Sequence, residues 1–476
     1  MKTKELWLWS GIVCSIVLCG TATLQAQTKA LKSQGSSTAG SRQFGEILGL
    51  QVKFNQGQPQ EAGLASLHDL GVRWVRDNID WAVVEKTPGV YALPSAFRER
   101  LAFYKKHGMS LVLPLGYGNP IAYPPTADDP DRPWDPEAYG RYAGAMTRML
   151  KESGVHFAIS LWNEPHNFEL GQHFGGAWNG VPPCPWLNHY LKMVSEAVKN
   201  IKAVDPSVVV LTDEDVVPNH YYFIKAGLPR ELDGYSVHYP SVDGVPEKSS
   251  FTNDQEFVRP LIVVDKDKSV RSELRRLREA GAAAIGREPQ IWILEWGTPV
   301  DENVTVNVQH HTGVAENDVA VMLARAFITA EANGVQVVAW FSAYDGPDGP
   351  FGLQANDLRP RLAYYTYKTL SEQLGDFTRV RQLAGNATPA SGTQAYLYRR
   401  GAEQKIAVWR IDGPAQSLAL TGALAGVRVI DKLGKVVDVP EDARGVRQLP
   451  IGPSVQYLCG LPPSSAVELD EAMVTH

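Results

Sequence analysis

The sequence predicts a (β/α)8 TIM barrel followed by a C-terminal antiparallel β-sandwich domain. Three observations carry this expectation. Eight short apolar runs recur between residues 44 and 375, most of them separated by helical patterns, and that alternation suits right-handed βαβ units closing into a parallel barrel. No Gly-rich phosphate fingerprint follows the first run, which disfavours an open doubly wound sheet. Beyond residue 375 the runs shorten, alternate and are punctuated by Gly, Pro, Asn and Asp, as in a small antiparallel domain.

In chain order, residues 1–26 read as a secretory signal peptide. Lys2 and Lys4 form a positive start, Leu6 to Cys19 is mostly apolar, and Gly20 to Ala26 offers small residues for cleavage after Ala26. The stretch is short for a bilayer span, and no later segment reaches the ~18 apolar residues of a membrane helix. The expected product is therefore exported, periplasmic or extracellular, with no membrane span in the mature chain. Residues 27–43 are polar and Ser/Gly-rich, and are expected to form a flexible leader.

The strand-like runs of the barrel, assigned to residues 44–375, are Gly49–Phe54, Trp74–Arg76, Ser110–Leu115, Phe157–Trp162, Val208–Thr212, Gly234–His238, Gln290–Glu295 and Val335–Phe341. Helical patterns intervene at Ser95–Lys106, Glu137–Lys151, Leu187–Ala203, Val270–Ala284 and Asp318–Ala332. Residues 376–462 hold the short β runs, at 395–398, 406–410, 427–430, 435–439 and 455–458. Residues 463–476 are expected to be a loose tail.

Composition bounds the function classes. The chain has 476 residues, 44% hydrophobic and 21% charged, which fits a folded globular protein and excludes a disordered or collagenous one. Removal of Lys2, Lys4 and Glu5, a net +1, takes the formal charge from −6 to −7. Nothing basic points to nucleic acid. Cleavage would leave only Cys184 and Cys459, too far apart in sequence for a metal-spacing pattern, and pairing between them stays open.

In such a barrel, chemistry sits where strands end at the C-terminal face. The fourth run ends in Leu161-Trp162-Asn163-Glu164-Pro165 and the seventh in Ile293-Leu294-Glu295-Trp296-Gly297. Two glutamates at the ends of opposed strands face each other across the mouth, as glycosidic bond cleavage requires. Arg76 closes the second run, and His238 and Tyr239 end the sixth, where only one of the adjacent pair can face the mouth; His238 is favoured. Aromatic rings at strand ends are candidate sugar platforms: Trp340 first, then Tyr117 and Trp296, with Trp134, Trp178 and Trp186 in the loops beyond. Asp213, Glu214 and Asp215 read as a solvated acidic loop, Asp345 and Asp348 as turn residues. No metal or organic cofactor is expected.

The Trp162-Asn163-Glu164-Pro165 run, with a glutamate after the seventh strand, resembles the clan A retaining glycoside hydrolases. The segment Gly71-Val72-Arg73-Trp74-Val75-Arg76, followed by Trp81 and Pro88-Gly89-Val90-Tyr91, is similar to glycoside hydrolase family 39 and to parts of family 5. The resemblance spans roughly residues 44–374. It implies that Glu164 is the acid/base, Glu295 the nucleophile, Asn163 a partner of the substrate's 2-hydroxyl, and Arg76 a fixed charge beside the nucleophile. The substrate expected is a polysaccharide or oligosaccharide. Transglycosylation by the same glutamates, or a non-catalytic carbohydrate-binding barrel, are the alternatives.

Overall fold

The computed structural model describes residues 42–215, 217–240, 245–248, 269–301, 313–384, 392–413, 416–420, 426–439 and 446–461. The segment read as a signal peptide, nearly all of the expected leader, the expected tail and His310-His311 lie outside them. Among the described residues no helix is long and apolar enough to cross a membrane.

Eight parallel strands close into a barrel: β1 (Leu48–Gln51), β2 (Trp74–Arg76), β3 (Ser110–Leu115), β4 (Phe157–Leu161), β5 (Val209–Glu214), β6 (Gly234–Pro240), β7 (Gln290–Gly297) and β8 (Val338–Trp340). Each pairs with its neighbours in chain order, and β1 pairs with β8 to complete the ring. A helix follows every strand: α1 (Gln60–Asp69), α2 (Ser95–Lys106), α3 (Pro136–Ser153), α4 (Pro185–Val204), α5 (Asn219–Ala226), α6 (Val270–Ile285), α7 (Glu316–Ala332) and α8 (Leu362–Leu374).

Local chemistry sets the helix ends. For α3, Asp135 accepts from the Ala138 amide at 2.7 Å, Pro136 occupies the first turn, and Gly154 takes the left-handed conformation beyond the end. Ser269 caps α6 in the same way through the Ser272 amide, 3.1 Å away. At the start of β6, a Cβ on Gly234 would lie 1.9 Å from the Gln290 carbonyl oxygen, so only glycine lets β6 approach β7.

Several expected strands shift: the sixth and seventh each run two residues further, and the eighth narrows to Val338–Trp340. The first ends at Gln51, after which Phe54–Gln56 turns as a 3-10 segment. The fifth runs two residues past its apolar stretch, because Asp213 and Glu214 pair with Ser236 and Val237 of β6. The acidic-loop reading of these residues is corrected on that ground: both side chains are fully buried strand residues.

Inside the barrel, Val112, Ala158, Leu211, Trp292, Leu294 and Val337 pack together, with Trp74 against them. Trp74 and Trp292, near the beginnings of their strands, meet edge to face at 4.9 Å, and His156 packs on Trp74 at 5.2 Å.

After α8 the chain forms β9 (Thr378–Ala384), β10 (Thr393–Arg400), β11 (Glu403–Arg410), β12 (Gln416–Leu420), β13 (Arg428–Ile430), β14 (Val436–Val437), β15 (Arg447–Ile451) and β16 (Gln456–Leu461). Six of these make one sheet in the order β9-β10-β11-β16-β13-β14, and β12 pairs with β15 as a second layer. Strand alternation divides the work of the large sheet. Leu397, Ile406, Val408 and Leu458 pack with Leu418 and Leu449 of the small layer. On the opposite face Tyr396, Tyr398, Trp409 and Tyr457 join the main core of the barrel.

A buried polar link crosses this junction. Arg325 of α7 makes a two-pronged ion pair with Glu247, at 2.9 and 2.5 Å, and the Trp409 indole donates to the same carboxylate at 2.7 Å. Removing one member of a buried pair strands the other's charge. Arg325→Met is therefore expected to lower unfolding free energy by about 3–5 kcal/mol. Denaturant titration measures this, and a change under 1 kcal/mol would mean that water repairs the gap.

Candidate active site

The C-terminal ends of the barrel strands converge on one polar cluster. β4 ends at Leu161, and the chain then turns sharply: Trp162 (φ 73°) and Glu164 (φ 49°) both adopt left-handed backbone. Such conformations cost on the order of 1–3 kcal/mol each for a non-glycine residue and persist where the surroundings dictate them. The turn aims Asn163 and Glu164 at the barrel axis. His238 on β6 stands opposite Glu295 on β7 in the strand register.

Arg76, buried at the end of β2, is the hub on one side. Its Nη1 donates to Gln51 Oε1 at 2.8 Å and to Glu295 Oε1; its Nη2 donates to Asn163 Oδ1 at 2.6 Å and to Asp213 Oδ2 at 3.2 Å. His238 is the hub on the other. Its Nδ1 lies 2.8 Å from Glu164 Oε1 and 3.9 Å from Glu295 Oε2, and its Nε2 lies 2.7 Å from Asp213 Oδ1. Oxygens of Glu164 and Glu295, with a ring nitrogen of His238, all fall within 4.8 Å of one another. Tyr239 points away instead, its hydroxyl donating to Glu273 Oε2 at 2.7 Å.

These contacts set the charges. Burial pushes the Glu295 carboxyl up, but Arg76, His238 and Lys53 outweigh it, and the group is held below the usual glutamate range. Burial opposes charge on His238, yet Glu295 and Asp213 raise its pKa well above that of a free imidazole. Asp213 likewise is held low: burial raises it, and His238 and Arg76 more than compensate. Burial, followed by Glu164 and Glu295, pushes the Tyr117 hydroxyl well up, so it stays protonated. It accepts from Asn163 Nδ2 at 3.3 Å.

A second cluster flanks Glu164. His166 Nδ1 lies 2.7 Å from Glu214 Oε1 and 3.2 Å from Asp215 Oδ1. Burial lowers the His166 pKa, but Glu214 raises it further, for a net rise. This trio and the Glu164–His238–Glu295 set are the two groups of described residues spaced closely enough to share a cation. In both, the imidazole already pairs with the carboxylates.

The aromatic residues sort differently from the sequence expectation. Trp340 and Trp296 are buried to within 1% of completely, so neither offers an open ring face; Trp296 packs on Tyr239 at 5.4 Å. Trp186 is also core, its indole donating to the Ala177 carbonyl at 2.9 Å. Trp134 is half-buried, its indole tied to Glu169 at 2.8 Å. Tyr117 is half-buried beside Trp162 and Phe168. Open aromatic surface comes instead from Trp178, 53% exposed, and Phe168, 39% exposed, in the loop after β4.

Lys53 and Asn167 complete the site, whereas Cys459 belongs to β16 of the C-terminal sheet. Lys53, just past β1, pairs with Asp348 and lies over the Phe341 ring at 4.5 Å. Asp345 is fully engaged by Arg361 at 2.5 and 2.9 Å. Asn167 Nδ2 donates to Glu164 Oε2 at 3.3 Å. Cys184 and Cys459 are both buried free thiols.

Sequence reasoning misread Asp213 as a solvated loop residue and did not single out Asn167, Phe168 or Lys53. Asp213 carried a usable signal, an acid continuing the fifth strand in the alternation that points Ser160 and Ser236 inward. Lys53 carried none, because its role depends on nearness to a residue 242 positions away.

No family model and no curated protein sequence matches the chain. Its structure is similar to that of a family 39 glycoside hydrolase from the gut symbiont Bacteroides cellulosilyticus WH2, with 19% identity, a TM-score of 0.65, and coverage of 87% of this chain and 81% of that one. A family 39 enzyme from Xanthomonas axonopodis pv. citri follows at 14% identity and TM-score 0.55, over 89% and 96% of the two chains. A family 30 endoxylanase from Clostridium papyrosolvens matches at 14% identity and TM-score 0.54, over 89% and 98%. At these identities the likeness is one of fold: a closed parallel barrel carrying a C-terminal β-sandwich.

Proposed function

We propose that the chain is an exported clan A glycoside hydrolase, of the family 39 type, that cleaves glycosidic bonds in a polysaccharide or oligosaccharide with retention of configuration. The observation that carries this reading is the pair of carboxylates, Glu164 and Glu295, with oxygens within 4.8 Å of each other. Retaining enzymes hold their carboxyl groups ~5–5.5 Å apart, whereas inverting enzymes leave room for a water between them. The fold likeness to family 39 and family 30 enzymes supports it, and the apolar amino-terminal stretch supports export.

Each carboxylate has surroundings that suit one role. Arg76 holds Glu295 Oε1 and keeps the group ionised, leaving Oε2 to attack the anomeric carbon. The glycosidic C–O bond breaks as Glu164 delivers a proton to the departing oxygen. That proton is close at hand: His238, favoured as the imidazolium, presents Nδ1–H to Glu164 Oε1. In the second step Glu164 takes a proton from water, the water oxygen attacks the anomeric carbon, and the ester bond to Glu295 breaks. Asn163, held by Arg76 and Tyr117, is read as the partner of the substrate's 2-hydroxyl, a contact that strengthens in the transition state. Trp178 and Phe168, exposed in the loop that follows Glu164, supply stacking surface on the side read as that of the leaving group.

Proton NMR of the first product formed from an aryl glycoside or oligosaccharide tests the reading. Retention in the first-formed anomer is expected; inversion would refute it. Products longer than the substrate would favour the transglycosylase, and binding without cleavage the non-catalytic barrel.

The pH profile offers a second check. Lys53 helps to hold Glu295 low, so Lys53→Met should move the acid limb of kcat/KM to higher pH, because the nucleophile then protonates more readily. An unmoved limb would show that Lys53 does not act on the nucleophile.

A further inference from the structure

The strongest feature outside the two glutamates is a third carboxylate, fully buried at the end of β5, that touches both hubs of the site. Asp213 Oδ2 accepts from Arg76 Nη2 at 3.2 Å and from Ser160 Oγ at 2.9 Å. Its Oδ1 accepts from Ser236 Oγ at 3.0 Å and lies 2.7 Å from His238 Nε2. Neighbouring strands β4 and β6 supply the two serines, so the carboxylate is clamped from both sides.

We infer that Asp213 is a positioning residue that sets both halves of the reaction at once: through Arg76 it places the nucleophile Glu295, and through His238 it places the acid/base Glu164. This inference rests on the hydrolase reading above and deepens it.

The two arms follow from simple charge arguments. An ionised carboxylate 2.7 Å from Nε2 of His238 favours positive charge, and so a hydrogen, on that side of the ring by charge attraction, even though the N–H is not aligned with the oxygen as a hydrogen bond. With that hydrogen on Nε2, Nδ1 is the nitrogen that exchanges a proton with Glu164 Oε1, 2.8 Å away. On the other arm, the Arg76 fork is spread over Gln51, Glu295, Asn163 and Asp213. Asp213 anchors Nη2, and that sets the plane in which Nη1 meets Glu295. A neutral amide at position 213 would have to turn its NH2 toward either Arg76 or His238, and both are donors, so one arm always meets a donor instead of an acceptor.

The test compares Asp213→Asn with Glu164→Ala on two aryl glycosides of the same sugar, 2,4-dinitrophenyl and phenyl. The dinitrophenolate leaves without a proton, so a lesion confined to the acid spares glycosylation of the enzyme by that substrate. Asp213→Asn should lower kcat/KM about 10²-fold or more on both substrates, since misplacement of a catalytic group by ~1 Å costs that much. Glu164→Ala should lower it only on the phenyl glycoside. Asp213→Asn activity within threefold of wild type on both, or loss on one alone, would overturn the two-armed role.

If Asp213→Asn does not fold, Ser160→Ala combined with Ser236→Ala loosens the clamp and keeps the charge. About tenfold loss on both substrates is then expected, by the same misplacement argument, and unchanged rates would overturn the proposal. Imidazole 15N shifts in histidine-labelled protein read the arm to His238 without any turnover. A protonated Nε2 in wild type that shifts in the variant supports the arm; an unprotonated Nε2 overturns it. A wild type that cleaves no glycoside would instead sink the hydrolase reading, while this spectrum still reports on Asp213.

Discussion

Glu295→Gln is expected to abolish turnover while leaving the fold intact. The amide is nearly isosteric with the carboxylate but is a poor nucleophile. Loss of ~10⁴–10⁶-fold in kcat is the scale seen when an enzyme's nucleophile is removed. Because Arg76 loses an anionic partner on the nucleophile side, some loss of stability is expected too, softened by Asp213, which stays on Nη2. Circular dichroism and steady-state kinetics together decide the matter. A folded variant that retains more than a hundredth of wild-type kcat would remove Glu295 from the nucleophile's role.

Glu164→Ala should behave differently. Substrates whose leaving group needs a proton should lose about 10²–10⁴-fold, the usual worth of general acid/base catalysis. Those with good leaving groups should still glycosylate Glu295, and the trapped ester should then turn over slowly for want of a base. Azide needs no deprotonation and fits the space vacated by the side chain, so it should restore the rate and give a glycosyl azide of the substrate's own configuration. A glycosyl azide of opposite configuration would contradict two displacements, and no rescue at all would place the acid/base elsewhere.

The glutamates and the barrel were legible in the sequence because their signals are local. Apolar runs of strand length mark β3, β4 and β7 by themselves, and the polar residues just past each run must face the mouth. The misses share one physical cause: they depend on partners far along the chain. Asp213 looks solvated until β6 pairs with it and draws it into the barrel. Trp340 and Trp296 look like platforms until the eighth strand closes beside the seventh and buries both rings. In the C-terminal domain β9, β12 and β15 went unread, each being a short run with few apolar residues. Their existence is settled by pairing with β10 and with each other.

Trp74 and Trp292 give the barrel a floor. Their edge-to-face contact, with His156 against Trp74, packs the end opposite the mouth, as the filled interior of a (β/α)8 barrel requires. On the proposed chemistry, the departing sugar and the incoming water share the mouth, where Phe168 and Trp178 expose their rings. The contest between water and a second sugar for the glycosylated Glu295 is then a matter of traffic at the rim, decided by how quickly the aromatic threshold clears. On that proposal, rim residues remote from the bond being broken would bear on whether the same two glutamates take chains apart or lengthen them.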